Sequence, residues 1–330
     1  MYFASSGYSI QAARSNKLST IFALALTVVS GSSASSSEAQ AIPAGKVYVS
    51  FGDSYASGPG LTPYNDESCQ RSQYNWPSRL AWNKSLWPER TGPWADYSCF
   101  GAQIMGSTAP ATPSTSGGFP NSLKDQIDWA ESSANPSART LGAATTLVTI
   151  SIGGNDLWGA APGKTLYGAL KTCDAPGNCD TSKLLQPADV QGQTLGDRLR
   201  PQLERIHALA PSAKIELVGY PSVIPAATVQ NCAGYYGPFQ TWSFSPEDQA
   251  FLRQLFLAVH DAQVQAVAQL NTLASIANSL TFVDLRTASL GHDICAGSNA
   301  WIAPPGSTTP QELHPSQAGM NAFGDAVFAQ

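Results

Sequence analysis

Five short runs of β-branched and aromatic residues, each followed by a helical stretch, constrain this chain more than any other feature. The runs cover 46–51, 96–100, 145–152, 214–219 and 280–284, and Gly, Pro, Ser or Asp bounds each of them. Between and after them, apolar periodicity predicts helices over about 74–83, 121–132, 194–210, 246–274 and 315–328. The fourth is the clearest. Ser245 stands as N-cap, Pro246 at the first helical position, and Glu247 and Asp248 in the first turn. Phe251, Leu255, Ala258, Val259, Ala262 and Ala266 then recur at helical spacing. Strands separated by helices are joined by crossovers, so the sheet is expected to be mostly parallel and covered on both faces. With no internal repeat and no second core, one domain from about 42 to 330 is expected.

In an open α/β sheet, ligands bind beyond the carboxyl ends of the strands, and two of these ends carry chemistry. Lys46–Phe51 runs straight into Gly52-Asp53-Ser54. Thr146–Ile152 runs into Gly153-Gly154-Asn155-Asp156, where two glycines let the backbone turn sharply and the Asn155 amide is left projecting as a donor. Far downstream, His314 precedes Pro315. A residue before proline is pushed to extended geometry, which puts His314 in the loop at the entrance of the last helix. A hydroxyl nucleophile, a donor for a developing oxyanion and an imidazole base are the parts of an ester hydrolase. Taken alone, Gly-Asp-Ser usually marks a turn, and the G-x-S-x-G elbow of α/β-hydrolases is absent. His207 and His260 fall inside predicted helices and read as surface or core-edge residues; His292 reads as orienting a disulfide loop.

Composition narrows the setting. Charged residues make up 12% of the 330-residue chain, whose formal net charge is −5. No Lys/Arg cluster stands out, so neither nucleic acid nor an anionic membrane is an expected partner. Arg14 and Lys17 precede the apolar stretch Ile21–Val29, which fits a signal-peptide core and is too short to span a bilayer. Ala39-Gln40-Ala41 offers a cleavage site, so residues 1–41 are read as signal peptide and linker, and the protein as secreted. Cys69, Cys99, Cys173, Cys179, Cys232 and Cys295 allow 15 pairings. An even count in an exported chain reads as three disulfides. Sequential pairing is the expectation, best supported at Cys173–Cys179, whose Pro-Gly turn brings its ends together. Asn83-Lys84-Ser85 is a glycosylation sequon. With no H-E-x-x-H and four scattered histidines, neither a metal nor another cofactor is expected. Pro162-Gly163-Lys164-Thr165 looks like the end of a phosphate loop, but Gly159 lies one residue too close.

Phe51-Gly-Asp-Ser-Tyr-Ala-Ser-Gly58, Cys99-Phe-Gly-Ala102, Ile152-Gly-Gly-Asn-Asp156 and His314-Pro315, in that order, resemble the sequence blocks of the SGNH, or GDSL, hydrolase family. The cysteine layout is similar to that of the family's secreted actinobacterial lipases and phospholipases, which carry three sequential disulfides. The resemblance implies a three-layer α/β/α sandwich with a five-stranded parallel sheet, of flavodoxin-like kind. It implies Ser54 as nucleophile, His314 as general base, and the Ser54 N–H, the Gly101 N–H and the Asn155 amide as oxyanion donors. The chain departs from the family at Gln311, where an Asp is usual. A Gln311 backbone carbonyl accepting from His Nδ1–H would still fix the tautomer; the Glu312 carboxylate, Asp284 and Asp293 are the alternatives. Asp53 and Asp156 read as loop-holding residues, and Trp158 as a wall of the substrate pocket. The aromatic residues Tyr235, Tyr236, Phe239, Trp242 and Phe244 of loop 221–244 favour lipid or short-to-medium acyl esters, phospholipids included. A monomer without stable membrane insertion is expected. A polysaccharide acetylesterase and a catalytically silent secreted binding protein are the other readings.

Overall fold

The computed structural model describes residues 47–82, 94–105, 121–131, 141–156, 165–174, 194–235, 241–273, 276, 279–307 and 311–330. Along the chain these form β1 (Val47–Gly52), α1 (Ser54–Ser57), β2 (Tyr64–Asp66), β3 (Arg71–Ser72), α2 (Trp76–Trp82) and β4 (Trp94–Asp96). Then come α3 (Leu123–Glu131), β5 (Thr145–Ser151), α4 (Leu166–Cys173), α5 (Leu195–Leu209) and β6 (Lys214–Val218). The rest are β7 (Ala233–Tyr235), β8 (Thr241–Ser243), α6 (Pro246–Asn271), β9 (Leu280–Val283), α7 (Leu285–Ala288) and α8 (Gln317–Phe328).

β4, β1, β5, β6 and β9 lie side by side in that order, every neighbouring pair parallel. Numbered among themselves they run 2-1-3-4-5, the flavodoxin-like doubly wound order. Helices flank this sheet in two groups: α2 packs on α8 and α8 on α7, while α3 packs on α5, α5 on α6 and α6 on α4. The fold is the expected three-layer sandwich. Covered on both sides, β1 is buried along its whole length and β5 nearly so, which is why these strands read as continuous apolar runs. β2–β3 and β7–β8 are small antiparallel ribbons outside the sheet.

The caps explain where the helices begin. At α6, Ser245 Oγ accepts from Asp248 N–H while the Asp248 carboxylate accepts from Ser245 N–H, a reciprocal capping box. Thr194 and Asp197 do the same for α5. Ser316 caps α8 by accepting from Gly319 N–H, so Pro315 stands before the cap rather than opening the helix. The second strand also differs from expectation: it runs over 94–96, earlier than 96–100, because its ladder with β1 pairs Tyr48 with Trp94 and Ser50 with Asp96.

Cys69–Cys99 and Cys232–Cys295 are bonded as expected. Cys173 is disulfide-bonded too, and its expected partner Cys179 lies outside the described residues, as do residues 1–41, Asn83, Trp158, Tyr236 and Phe239. Among the described residues no helix is long and apolar enough to cross a membrane.

Candidate active site

Strand order reverses between β1 and β5, which send the chain to opposite sides, and the crevice outside such a switch point is where this fold binds ligands. Ser54 follows β1 and Asn155 follows β5. The backbone at Gly52 is gripped hard: the Gln126 amide accepts from Gly52 N–H at 2.9 Å and donates to Gly52 O at 2.8 Å, and Cys99 N–H donates to Gly52 O at 3.0 Å. No side chain fits there, since a Cβ on Gly52 would stand 2.6 Å from Ser151 O and 2.7 Å from the Ala56 Cβ. Asp53 N–H donates to Ser151 O at 2.9 Å, stitching the two strand ends together, and the Asp53 side chain caps α1 by accepting from Tyr55 N–H. Ser54 is thereby the first residue of α1, where a backbone N–H has no intrahelical acceptor.

Ser54 Oγ lies 2.9 Å from His314 Nε2, and His314 Nδ1 lies 2.9 Å from the Glu312 backbone carbonyl. A carbonyl only accepts, so Nδ1 carries the ring proton and Nε2 offers a lone pair to the serine hydroxyl, which donates. The oxygen that meets Nδ1 belongs to Glu312, one residue later than expected. The Gln311 carbonyl accepts His314 N–H instead, at 3.0 Å, closing a turn over 311–314. Leu313, third in that turn, has φ +62°, the sign a type II turn needs at that position. This uncommon conformation for a leucine is held by Tyr55 Oη donating to Leu313 O at 2.9 Å and by Leu313 N–H donating to Ala303 O at 2.8 Å. The alternative carboxylates are engaged elsewhere: Asp284 caps α7 at Thr287 and Asp293 accepts from Cys295 N–H.

His314 is 1% exposed and ringed by aromatics, with centroids at 5.5 Å for Tyr167, 5.6 Å for Tyr55 and 5.8 Å for Phe100. Tyr167 Oη donates to Glu312 Oε1 at 3.0 Å. Burial lifts the Glu312 carboxyl, but the Gly306 N–H, the Tyr167 hydroxyl and Lys171 outweigh it and hold the group below its usual range.

The Asn155 carboxamide has two N–H bonds, one of which donates to Ala102 O at 2.9 Å. That contact fixes the amide plane against the 99–102 segment, while Gln103 Nε2 donates to Asn155 O at 2.8 Å. Ala102 N–H donates to Cys99 O at 3.1 Å, and Gly101, third in this turn, has φ +75°, which favours glycine. Cys99, Phe100 and Ala102 spend their N–H groups on Gly52, Cys69 and Cys99 carbonyls. The Gly101 N–H has no acceptor among the described residues. The Cys69–Cys99 bridge ties this turn to the 55–73 connection.

Two buried carboxyls hold the loops. Asp53 meets the Tyr220 hydroxyl, and the same oxygen accepts from Gly154 N–H at 2.6 Å, so a residue just past β6 joins the Ser54 loop to the Asn155 loop. Burial pushes the Asp53 carboxyl up to about 7 against the pull of the Tyr220 and backbone donors. Asp156 accepts from Ile104 N–H and from Arg198 Nη1, the latter at 2.7 Å. Sequence reasoning passed over Tyr220, Tyr167 and Arg198. Tyr220 had a signal, its place at the carboxyl end of a predicted strand; the other two had none.

Loop 221–244 offers less open aromatic surface than its sequence suggested. Trp242 and Phe244 are buried, Tyr235 is exposed, and Cys232 pins the loop to Cys295. His292 stacks on Trp301 with centroids 3.8 Å apart, beside Cys295. Among the described residues no group of His, Cys, Asp and Glu is arranged to hold a metal ion.

A family model described as the GDSL-like lipase/acylhydrolase family matches residues 50–322. Lipase 2 of Streptomyces coelicolor is 28% identical over 298 residues, covering 86% of this chain and 83% of that protein. An extracellular lipase from Streptomyces rimosus superposes with a TM-score of 0.62 at 21% identity, over 86% of this chain and 98% of that one. Phospholipase A1 from Streptomyces albidoflavus NA297 gives 0.59 at 22% identity, with the same coverage of 86% and 98%. These two share the fold.

Proposed function

From a chain that belongs to the GDSL-like lipase/acylhydrolase family, and is therefore a carboxylic ester hydrolase, we infer that Ser54 and His314 carry out acyl transfer as a dyad steadied by a backbone carbonyl. The observation that supports this is the 2.9 Å contact from Ser54 Oγ to His314 Nε2, with Nδ1 held on Glu312 O. Ser54 Oγ bonds to the ester carbonyl carbon as its proton passes to Nε2. The oxyanion is received by the Ser54 N–H, the Gly101 N–H and the second N–H of the Asn155 amide. The imidazolium then protonates the departing alcohol, and water repeats the sequence on the acyl-enzyme.

The substrates we assign are acyl esters of lipids, phospholipids included. Support comes from the relatives named lipase and phospholipase A1 and from Phe100 and Met105, large apolar residues exposed on the segment that carries Gly101. Export belongs to the same reading: the 1–41 segment has the pattern of a signal peptide and linker, a solved relative is described as extracellular, and disulfides suit an oxidising compartment. Residues 42–330 then act as one hydrolase domain, a monomer with no nucleic-acid partner and no stable membrane insertion.

Hydrolysis of p-nitrophenyl esters from acetate to palmitate tests this. Turnover of butyrate and longer chains, abolished by Ser54→Ala, is the expected result. Turnover of acetate alone assigns the protein to carbohydrate deacetylation instead, and folded protein that hydrolyses none of them removes the catalytic reading.

A further inference from the structure

The Ser54–His314 pair has a carbonyl where most such sites have a carboxylate. A carbonyl fixes the tautomer but brings no full negative charge to the imidazolium that forms when Nε2 takes the serine proton. We propose that Tyr167 steadies that imidazolium as a positioning residue for the dyad: its ring face stacks on His314 while its hydroxyl couples that face to the Glu312 carboxylate. The inference rests on the dyad described above.

Tyr167 is the best oriented of the three rings around His314. Its plane lies 25° from the imidazole plane, against 46° for Phe100 and 48° for Tyr55. An aromatic face is negative, and a cation within about 6 Å of the centroid is attracted to it; the centroid separation here is 5.5 Å. A phenol that donates to a carboxylate becomes more electron-rich, and Tyr167 Oη donates to Glu312 Oε1 at 3.0 Å. Tyr55 has no such coupling, because its hydroxyl donates to the Leu313 carbonyl.

The carboxylate is fixed and charged. Glu312 Oε2 accepts from Gly306 N–H at 3.0 Å. Lys171 Nζ lies 2.8 Å from Asp174 and 3.4 Å from Glu312. Burial and the Glu312 bond push the Tyr167 phenol up to about 12, so it stays protonated and keeps donating. Glu312 thus acts on the base twice: its carbonyl holds Nδ1, and its side chain charges the ring that faces the imidazole.

The test is steady-state kinetics on p-nitrophenyl butyrate, with the rate at which a fluorophosphonate labels Ser54 measured alongside. In Tyr167→Leu, kcat is expected to fall about 10- to 30-fold with KM changed less than about twofold, as loss of a desolvated cation–π contact requires. Tyr167→Phe keeps the face and should recover about half of that effect on the free-energy scale, losing about 3- to 5-fold. Glu312→Gln should match Tyr167→Phe, and the double variant should be no worse than either, since both break one path. Labelling of Ser54 should slow in the same order. If wild-type protein labels normally and Tyr167→Leu keeps its kcat while KM rises, the ring is a substrate wall and the inference is overturned alone. Wild-type kcat in Glu312→Gln also overturns it. Wild-type protein that resists labelling overturns the dyad, and this inference with it.

Discussion

Removing the Tyr220 hydroxyl tests whether the two active-site loops are held as one unit. In Tyr220→Phe the ring keeps its edge-on packing against Tyr55, with centroids 5.1 Å apart, so little apolar contact is lost. What disappears is an oxygen that accepts from Gly154 N–H at 2.6 Å and donates to the Asp53 carboxyl. Both partners are buried. An ordinary hydrogen bond contributes about 0.5–1.5 kcal/mol, and a stranded buried N–H costs about 1–3 kcal/mol. The variant should therefore lose about 2–4 kcal/mol, large for one atom and a sizeable part of a domain's total stability. Urea unfolding reads this as a lower midpoint at unchanged slope. Because Gly154 immediately precedes Asn155, kcat should also fall, by about 10- to 100-fold, as the carboxamide drifts from where the oxyanion forms. A variant within about 1 kcal/mol of wild type, with wild-type kcat, would show that the hydroxyl ties nothing together.

Asp53 gives a pH signature. Its folded-state value, pushed up to about 7 by burial, exceeds the ordinary 3.8. Stability from keeping it protonated is full below that ordinary value and is lost as pH rises through the folded one. Asp53→Asn should flatten the decline in urea midpoint between pH 5 and pH 8, by about 2–3 kcal/mol; a slope identical to wild type refutes the assignment. Asn155→Ala should cost about 10²–10³ in kcat with the unfolding midpoint lowered by no more than about 1 kcal/mol, and full turnover would exclude its amide from the oxyanion site. Arg198→Met strands the buried Asp156 carboxyl, at an expected cost of about 3–5 kcal/mol, of which adding Asp156→Asn should return part. An Arg198→Met protein as stable as wild type would contradict that pairing.

The parts of this molecule legible in its sequence are those that depend on local pattern. Alternation of apolar runs and helical stretches gave the parallel sheet, because strands covered on both faces must be apolar throughout. Ser245 and Asp248 announced α6, because capping involves residues three apart. The candidate site residues Ser54, Asn155 and His314 showed as short blocks at strand ends and before a proline. What stayed hidden depends on distance or on backbone freedom. Tyr220 meets Asp53 across 167 positions, which no local pattern reports. The shift from Gln311 to Glu312 turns on a leucine adopting positive φ, a conformation its side chain disfavours and which contacts from Tyr55 and Ala303 help to hold. Trp242 and Phe244 looked like an open aromatic surface because composition does not say which way a ring faces.

The alcohol and the imidazole of this site stand 260 positions apart, and every strand of the central sheet is translated before His314. A ribosome adding about 5–20 residues per second needs about 13–50 s to pass from one to the other. On the proposed dyad, the nascent chain carries Ser54 throughout that interval with no base to activate it. α8, which follows His314, packs on α2. If the proposed dyad holds, a chain halted upstream of His314 lacks its base however well the rest has folded.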